Sequence, residues 1–442
     1  MSASVAVFGT GYLGATHAAC MAELGHQVLG VDVDESKLAK LAAGEVPFYE
    51  PGLDEVLQRN IAAGRLRFTS SYEEAAEFAD IHFIGVGTPQ KKGEFAADLT
   101  YVDAVIDRLA PLLTRPAVIF GKSTVPVGTA ERLGARARAL APAGVGVEVA
   151  WNPEFLREGF AVQDTLHPDR LVLGVDRDRP GRAEEVAREV YAQLLEEEIP
   201  FLVTDLATAE LVKTSANAFL ATKISFINAM AEVCEAASAD VTTLADAIGH
   251  DARIGRRFLN AGVGFGGGCL PKDIRAFMAR AGELGADQAL TFLREVDAIN
   301  MRRRTRMVEM AREACGGTLL GTRVAVLGAA FKPESDDVRD SPALNVAGQI
   351  QLQGATVTVY DPKAMDNSRR LFPTLGYATS VADAVEGADV VLVLTEWKEF
   401  REMRPARIAA RVRHQSIIDG RNCLRPEEWR DAGWIYRGMG RC

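Results

Sequence analysis

The sequence of 442 residues has few cysteines and arranges none of them as a CxxC pair. No cysteine and histidine cluster has the spacing of a zinc site, and the six histidines form no Ser/His/Asp arrangement typical of a hydrolase. We therefore expect no metal site, and free thiols in a reducing compartment. The cysteines are Cys20, Cys234, Cys269, Cys315, Cys423 and Cys442.

An export signal and a long apolar run are also missing. Residues 1–8 lack the basic region that opens a signal peptide. The first apolar run ends at Gly9, far short of the ~20 apolar residues that cross a bilayer. No low-complexity tract or Gly/Ser linker interrupts the chain. These absences predict a cytoplasmic protein with no membrane partner.

The chain also lacks a positive net charge. It has 50 Lys plus Arg against 60 Asp plus Glu, which gives a formal net charge of −10. Nucleic-acid binding depends on clustered cations, so this balance argues against a general nucleic-acid partner. An anionic small molecule needs only a local positive pocket. The length suits about three domains, with cores large enough to fold without disulfides or metals.

Short apolar runs alternate with helix-like segments along the first part of the chain. Such alternation is typical of a parallel sheet covered by helices on both faces. The apolar runs are residues 4–8, 27–32, 81–86, 117–120, 147–150 and 171–175.

The strand pattern fades from about residue 204 to 312 and then resumes. Residues 206–239 contain no Pro or Gly and predict one long helix. The run at 323–328 then resembles that at 4–9, which indicates a weak internal repeat. The predicted fold class is α/β, with two Rossmann-like parallel-sheet domains joined by a central helical domain. The predicted domain boundaries are 1–203, 204–314 and 315–442.

A glycine-rich turn follows the first apolar run. Gly9, Gly11 and Gly14 form GxGxxG where a predicted strand meets a predicted helix. The first glycine permits a tight turn, the second lets the backbone approach a pyrophosphate, and the third lets the helix pack on the strand. Asp32, after the second run, can bind a ribose 2′-hydroxyl and would repel a 2′-phosphate. The turn therefore predicts an NAD site rather than an NADP site.

The segment GFGGGCLPKD at 264–273 surrounds a cysteine with groups that favour reactivity. Glycines directly before Cys269 keep side chains away from its sulfur atom. Lys272 follows within three residues, and a nearby cation favours the thiolate nucleophile. The other cysteines lack such neighbours and are expected to fill space in the protein.

Two further pairs fit catalysis and also fit an ordinary helix surface. Lys213 and Asn217 are four residues apart, so on a helix they share one face and could hold an oxyanion. Glu154 and Glu158 flank Arg157 in NPEFLRE. From these residues alone a solvated surface pair explains both spacings at least as well.

Ordered motifs along essentially the whole chain resemble those of the nucleotide-sugar 6-dehydrogenases, the UDP-glucose/GDP-mannose dehydrogenase family. The motifs are GTGYLG at 9–14, EPGL at 50–53, GTP at 87–89, KSTVPVGT at 122–129, NPEFLREG at 152–159, ELVKTSAN at 210–217, GFGGGCLPKD at 264–273 and FKPESDDVRDSP at 331–342. Leu13 departs from the family's more usual valine, and Gly268 is smaller than the residue many members carry.

The resemblance implies a four-electron oxidation of C6 of a nucleotide sugar by two NAD, in two steps. Cys269 would form a thiohemiacetal with the intermediate aldehyde, and then a thioester that water hydrolyses to a carboxylate. By position in the motifs, Lys213 and Asn217 would stabilise the oxyanion. Asp273 and Thr124 would handle a water and a proton, and Glu154 would act as acid/base or position the water in hydrolysis.

The same resemblance implies the ligand-binding positions. The cofactor positions are Gly9, Gly11, Tyr12, Leu13, Gly14, Asp32, Lys37, Thr88, Thr124, Glu158, Lys272 and Arg339. The substrate positions are Glu154, Phe155, Leu156, Arg157, Glu158, Lys213, Asn217, Phe258, Leu259, Asn260, Ala261, Gly262, Gly266, Lys332 and Arg421. Arg253 matches an arginine that reaches into a partner subunit's site, so at least a homodimer is expected, with the 206–239 helix at its interface.

The resemblance favours UDP-glucose as the substrate, with UDP-glucuronate for polysaccharide synthesis as the product. FLRE at 155–158 differs from the N-acetylhexosamine branch, and Arg253-Ile-Gly255 differs from the GDP-mannose branch. A GDP-mannose 6-dehydrogenase and a non-catalytic nucleotide-sugar sensor remain alternatives. A one-step hydroxyacid dehydrogenase would explain neither the Cys269 loop nor the second sheet.

Overall fold

The computed structural model describes residues 2–441. These residues divide into two compact units, one built from 2–216 and 275–285 and the other from 217–274 and 286–441. The predicted fold class is confirmed: the protein is α/β, with two Rossmann-like sheets and a central helical region.

The first unit contains a sheet with the strand order β3-β2-β1-β4-β5-β6-β7-β8. Neighbouring strands are parallel except β6 and β7, which are antiparallel. The strands are β1 Ser4–Phe8, β2 Gln27–Val31, β3 Leu66–Thr69, β4 Ile81–Ile84, β5 Ala117–Gly121, β6 Val147–Trp151, β7 Leu171–Val175 and β8 Phe201–Asp205. Strands β3 and β8 lie outside the apolar runs from which the strands were predicted.

Helices cover both faces of this sheet because alternate residues of each strand point to opposite sides. Val5 and Val7 of β1 pack in one apolar layer, and Ala6 and Phe8 pack in the other. The helices of this unit are α1 Tyr12–Glu23, α2 Glu35–Ala42, α3 Leu53–Ala62, α4 Tyr72–Phe78, α5 Thr100–Leu109, α6 Thr129–Leu140, α7 Ala161–Leu166, α8 Ala183–Val190 and α9 Ala192–Glu196. Short 3₁₀ turns lie at Ala110–Leu112 and Gly144–Gly146.

The middle of the chain is helical, as predicted. The long helix predicted over 206–239 is α10 Leu206–Ala237, and it is followed by α11 Val241–Gly249, α12 Leu270–Glu283, a 3₁₀ turn at Asp287–Leu290 and α13 Phe292–Ala314. Within residues 2–441, no helix combines the length and the apolar character needed to cross a membrane.

The second sheet repeats the topology of the first. Its strand order is β11-β10-β9-β12-β13-β14, with all neighbours parallel, which matches β3-β2-β1-β4-β5-β6. The strands are β9 Arg323–Leu327, β10 Thr356–Tyr360, β11 Gly376–Tyr377, β12 Val390–Val393, β13 Ser416–Asp419 and β14 Ile435–Gly438. The helices are α14 Pro342–Leu352, α15 Met365–Leu371, α16 Val381–Ala384, α17 Lys398–Arg401, α18 Pro405–Ile408 and α19 Pro426–Asp431.

Candidate active site

The glycine-rich turn joins β1 to α1 in a conformation that only glycine satisfies. Gly9 has φ +87°, in the left-handed region. A Cβ on Gly14 would lie 1.7 Å from the Gly9 carbonyl oxygen, so the helix can approach the strand only without a side chain there. A Cβ on Gly11 would meet no heavy atom within 4 Å. The backbone at Gly11 is therefore open to a ligand, at the start of a helix whose N–H groups favour phosphate.

Asp32 follows β2 and faces this turn. Its Oδ2 accepts hydrogen bonds from the Thr10 N–H at 2.7 Å, the Thr10 hydroxyl at 2.9 Å and Lys37 Nζ at 3.0 Å. Its Oδ1 accepts one from the Asp34 N–H at 3.0 Å. Burial alone would raise the pKa of Asp32, but these hydrogen bonds lower it overall. The carboxylate is thus ionised, and Oδ1 keeps acceptor capacity for a ribose hydroxyl.

Glu50 of the EPGL motif ties the glycine-rich turn to the NPEFLREG loop. The Tyr12 hydroxyl donates to it, and so do the backbone N–H groups of Gly159 at 2.6 Å and Ala161 at 2.7 Å. Burial raises the pKa of Glu50, and these donors oppose the rise. The EPGL motif by itself indicates no role for Glu50, because the partners of Glu50 lie up to 111 residues away.

Glu154 lies in the NPEFLREG loop that leaves β6. Its Oε1 accepts hydrogen bonds from the N–H groups of Phe155 at 2.6 Å and Leu156 at 2.7 Å. Its Oε2 lies 3.4 Å from Nζ of Lys122, a lysine that the sequence analysis did not assign. Glu158 of the same loop is buried, with 9% of its surface exposed. Arg157 extends from the loop into an ion pair with Asp164 at 2.7 Å.

Three other predicted residues of the first unit lie against these loops. The Thr88 hydroxyl donates to the Thr124 carbonyl oxygen at 2.7 Å, which joins the GTP and KSTVPVGT motifs. The ammonium of Lys213 on α10 lies 5.5 Å from the centre of the Phe155 ring. A cation over an aromatic face is attracted by the ring quadrupole. Lys213 is therefore held beside the loop that carries Glu154.

The second unit holds the cysteine loop and its polar neighbours. Cys269 directly precedes α12, and its carbonyl oxygen accepts the Asp273 N–H at 2.9 Å. Asp273 is only 2% exposed. Its carboxylate accepts a hydrogen bond from the Asn217 amide at 2.6 Å and forms an ion pair with Lys272 at 2.5 Å. Asn217, Lys272 and Asp273 thus form one polar cluster at the start of the helix that Cys269 precedes.

The cysteines differ in exposure. Among residues 2–441, Cys269 is the exposed cysteine, whereas Cys20 and Cys234 are buried and Cys315 and Cys423 are partly buried. The described cysteines form no disulfide. Burial raises the pKa of the Cys20, Cys315 and Cys423 thiols, which disfavours their thiolates. Cys442 lies outside the described residues.

Gly266 and Gly268, which precede Cys269, leave room for neighbouring groups to lie against the backbone. A Cβ on Gly266 would lie 2.3 Å from the Asp340 carbonyl oxygen, and one on Gly268 would lie 2.3 Å from Cζ of Arg339. The Arg339 guanidinium therefore lies over Gly268, where it also pairs with Asp337 at 2.7 Å. This packing gives a physical reason for the small residue at 268: a larger side chain would displace Arg339 from the cysteine loop.

The predicted sugar-nucleotide positions of the second unit lie around the same loop. Arg421 donates to the carbonyl oxygens of Leu394, Gly264 and Phe331 at 2.8, 3.0 and 3.1 Å. It thereby joins the cysteine loop to the segment that carries Lys332. Leu259, Ala261 and Gly262 are buried, whereas Phe258 and Asn260 are exposed.

Arg253 differs from the other predicted substrate positions. Its side chain is 89% exposed and pairs only with nearby Asp251 in the ion pairs described, at 2.6 Å. A long exposed cation of this kind can extend away from its own chain, and such pairs add little to stability.

Known proteins match this chain over nearly its whole length. The UDP-glucose/GDP-mannose dehydrogenase family models match its NAD binding domain at residues 3–195, its central domain at 207–302 and its UDP binding domain at 325–426. A UDP-glucose 6-dehydrogenase of Rhizobium meliloti (strain 1021) is 42% identical, with 99% of each chain covered. One from Pseudomonas aeruginosa is 40% identical, with 98% of this chain and 97% of the relative covered.

A solved structure gives the same match in three dimensions. The UDP-glucose dehydrogenase of the hyperthermophilic archaeon Pyrobaculum islandicum has a TM-score of 0.91 and 38% identity to this chain. The match covers 100% of this chain and 98% of that one.

Proposed function

This chain belongs to the UDP-glucose/GDP-mannose dehydrogenase family, and we propose that it oxidises C6 of UDP-glucose to the carboxylate of UDP-glucuronate with two NAD. The observation that carries the proposal is Cys269, an exposed thiol at the start of α12 beside the Asn217–Asp273 pair. The names of the relatives at 40–42% identity over nearly the whole chain support the sugar.

The first unit fits NAD as the electron acceptor. Gly11 leaves the backbone open at the start of α1, and Asp32 offers a free acceptor site on an ionised carboxylate. The carboxylate would repel the 2′-phosphate of NADP. When bound, NAD supplies the hydride-accepting nicotinamide. The chain's part is to hold the ribose and pyrophosphate at the carboxyl edge of the sheet.

The proposed chemistry proceeds through Cys269. The first oxidation removes a hydride from C6 and a proton from its hydroxyl, which leaves an aldehyde. The Cys269 sulfur adds to the aldehyde carbon to give a thiohemiacetal, and loss of a second hydride and the hydroxyl proton gives a thioester. Water then attacks the thioester carbon, the C–S bond breaks, and the carboxylate and thiol form. Overall, one water is consumed and two NADH are formed.

The polar residues stabilise charge and transfer protons in these steps. Lys213 and Asn217 stabilise the negative oxygen that forms at C6, since an ammonium and an amide N–H both favour an oxyanion. Asp273 accepts the Asn217 amide hydrogen bond and so orients it. Thr124 and Asp273 handle the water and proton, and Glu154 acts in the hydrolysis.

The remaining expectations are also proposals. We propose the domain division 1–203, 204–314 and 315–442, which the ranges of the three family models support. We propose a cytoplasmic location, since the reactive thiol requires a reducing environment, and a role in supplying polysaccharide precursors.

We also propose that the protein forms at least a homodimer through α10. Phe219, Phe226 and Val233 follow one another at seven-residue spacing and are 66%, 48% and 57% exposed. Seven residues are about two helical turns, so these side chains form one apolar stripe. A second copy of α10 would cover this stripe, and Arg253 would then reach the partner's site.

An NADH assay across UDP-glucose, GDP-mannose and UDP-N-acetylglucosamine tests the function. We expect the highest rate with UDP-glucose and two NADH per UDP-glucuronate formed. A higher rate with GDP-mannose would identify the other branch of the family. One NADH per product would contradict the thioester route, and binding without NADH formation would indicate a sensor.

A further inference from the structure

Lys122 is a buried lysine at the carboxyl end of β5. Its backbone N–H donates to the Ile84 carbonyl oxygen at 2.9 Å, and only 4% of the residue is exposed. Its ammonium lies 5.9 Å from the ring centres of both Phe83 and Tyr191. A buried ammonium is costly unless it is paired and hydrogen-bonded. The partners of Lys122 therefore indicate the role of its charge.

The ammonium has polar partners on three sides. Its Nζ lies 2.9 Å from Asn152 Oδ1, 3.5 Å from the Tyr191 hydroxyl oxygen and 3.4 Å from Glu154 Oε2. The Asn152 amide is held in this orientation, since its Nδ2 donates to the Val172 carbonyl at 2.8 Å and its Oδ1 also accepts the Tyr191 hydroxyl at 2.6 Å. Of the three partners, Glu154 alone carries a full negative charge.

Both oxygens of Glu154 have donors beside them. Its Oε1 faces the N–H groups of Phe155 and Leu156, and its Oε2 faces the Lys122 ammonium. Both oxygens therefore act as acceptors. The same contacts fix the direction of the carboxylate, because each oxygen is held from a different side.

Three other titratable groups lie near this pair, and burial disfavours the charged form of each. His17 on α1 is fully buried, and burial, aided by the charge of Lys122, lowers its pKa. Burial raises the pKa of the Cys20 thiol and of the Tyr191 hydroxyl. Burial alone would lower the pKa of Lys122, but Tyr191 and Glu154 raise it overall.

We propose that Lys122 is a positioning residue, because its buried ammonium fixes the direction of the Glu154 carboxylate, which the proposed function places in thioester hydrolysis. This inference rests on the proposed function. Lys122 acts through Glu154 and needs no contact with the substrate.

The test is a pH series on Lys122→Met, Glu154→Gln and the double variant, with Tyr191→Phe as a matched control. Tyr191→Phe removes a polar atom from the same pocket but leaves the ion pair. Lys122→Gln serves as a second variant, since it keeps a polar group beside Asn152 without the charge. Thermal unfolding verifies that each variant is folded.

In Lys122→Met and Lys122→Gln we expect the acidic limb of the kcat profile to move up by about one to three pH units, because a carboxylate that loses an adjacent cation is easier to protonate. Intact-protein mass spectrometry should then detect more thioester on Cys269 at pH 6 than in wild type. In Tyr191→Phe the limb should move less. In the double variant, kcat should be less than about twofold lower than in Glu154→Gln alone, because the two residues act as one unit.

The two proposals fail in different ways. If wild type forms no NADH from UDP-glucose, the proposed function is wrong. If wild type is active and Glu154→Gln is impaired, an unmoved acidic limb in both Lys122 variants overturns the role of Lys122 alone. Full additivity in the double variant overturns it as well.

Discussion

Asp32 and Asp361 follow the second strand of their respective sheets, yet their carboxylates are used differently. Asp361 is 1% exposed, and its oxygens accept the N–H groups of Ala329, Ala330, Lys363 and Ala364 and the Trp397 indole N–H. Asp32 keeps a free acceptor site. The second sheet thus repeats the topology, but the carboxylate at the matching position is occupied by donors of the chain itself.

The proposed nucleophile gives the clearest prediction for a single residue. Cys269→Ala should lower overall turnover by at least about 10³-fold, because no thioester can form without the sulfur. Binding of UDP-glucose, measured by calorimetry, should remain largely intact. The measurement is NADH and UDP-glucuronate formed under saturating substrates.

Cys315→Ala is the matched control for this prediction, since Cys315 lies in the same unit and is only partly exposed. It should retain near-normal turnover. If Cys269→Ala still forms two NADH per UDP-glucose, the covalent route is wrong.

At the scale of elements, the long central helix follows its sequence pattern closely. The long helix predicted over 206–239 ends two residues early, at Ala237. Helix α12 begins at Leu270 with Pro271 in its first turn, where the N–H that proline lacks would have no partner within the helix. Strand β7 reverses direction against β6, a pairing that apolar content alone does not reveal.

Strand β4 carries a histidine that makes the stability of the first unit sensitive to acid. His82 is fully buried, and neither ring nitrogen has a hydrogen-bond partner among the described residues. Burial lowers its pKa to about 4. Above its unfolded pKa of about 6.5 the residue is neutral in both states. Between these values the unfolded chain binds the proton and the folded chain does not, so stability falls as pH falls.

His82→Leu should remove this pH dependence, which amounts to about 3 kcal/mol between pH 6.5 and 4 for a shift of this size. As the pH is lowered over that range, we expect the thermal midpoint of the variant to rise relative to that of wild type. The control is His167→Gln, since the His167 side chain is 60% exposed. A constant difference from pH 7.5 to pH 4.5 would contradict the prediction.

At the scale of the whole molecule, the net charge is −10, and the candidate anion-binding cations lie beside acidic residues. Lys37, Lys272, Arg339 and Arg253 each pair with a nearby acidic residue. If these cations bind ligand phosphates as proposed, the phosphates would compete with the paired carboxylates for them.

The apolar stripe on α10 gives a prediction for assembly. Phe226→Glu should convert the proposed dimer to monomer, because burying a carboxylate in an apolar interface costs several kcal/mol. Light scattering during gel filtration at matched concentrations measures the mass. Leu352→Glu is the control, since Leu352 is 88% exposed on a different helix. A Phe226→Glu protein that remains dimeric would show that α10 is not the interface.

The sequence by itself determined the features that depend on neighbours along the chain. The glycine turn at 9–14, the long helix and the cysteine loop follow from backbone conformation and short spacing, so their motifs could be read directly. The repeat of β1 in β9 predicted the second sheet for the same reason.

Only the tertiary structure decided which side chains act together. Lys122 meets Asn152 across 30 residues, and Glu50 meets Gly159 across 109. The first pair forms because the parallel strands β5 and β6 end side by side at one edge of the sheet. The second forms because the segment before α3 folds against the loop that follows β6. No local pattern marks such neighbours, so the ion pair of Lys122 with Glu154 became visible only once β5 and β6 were paired.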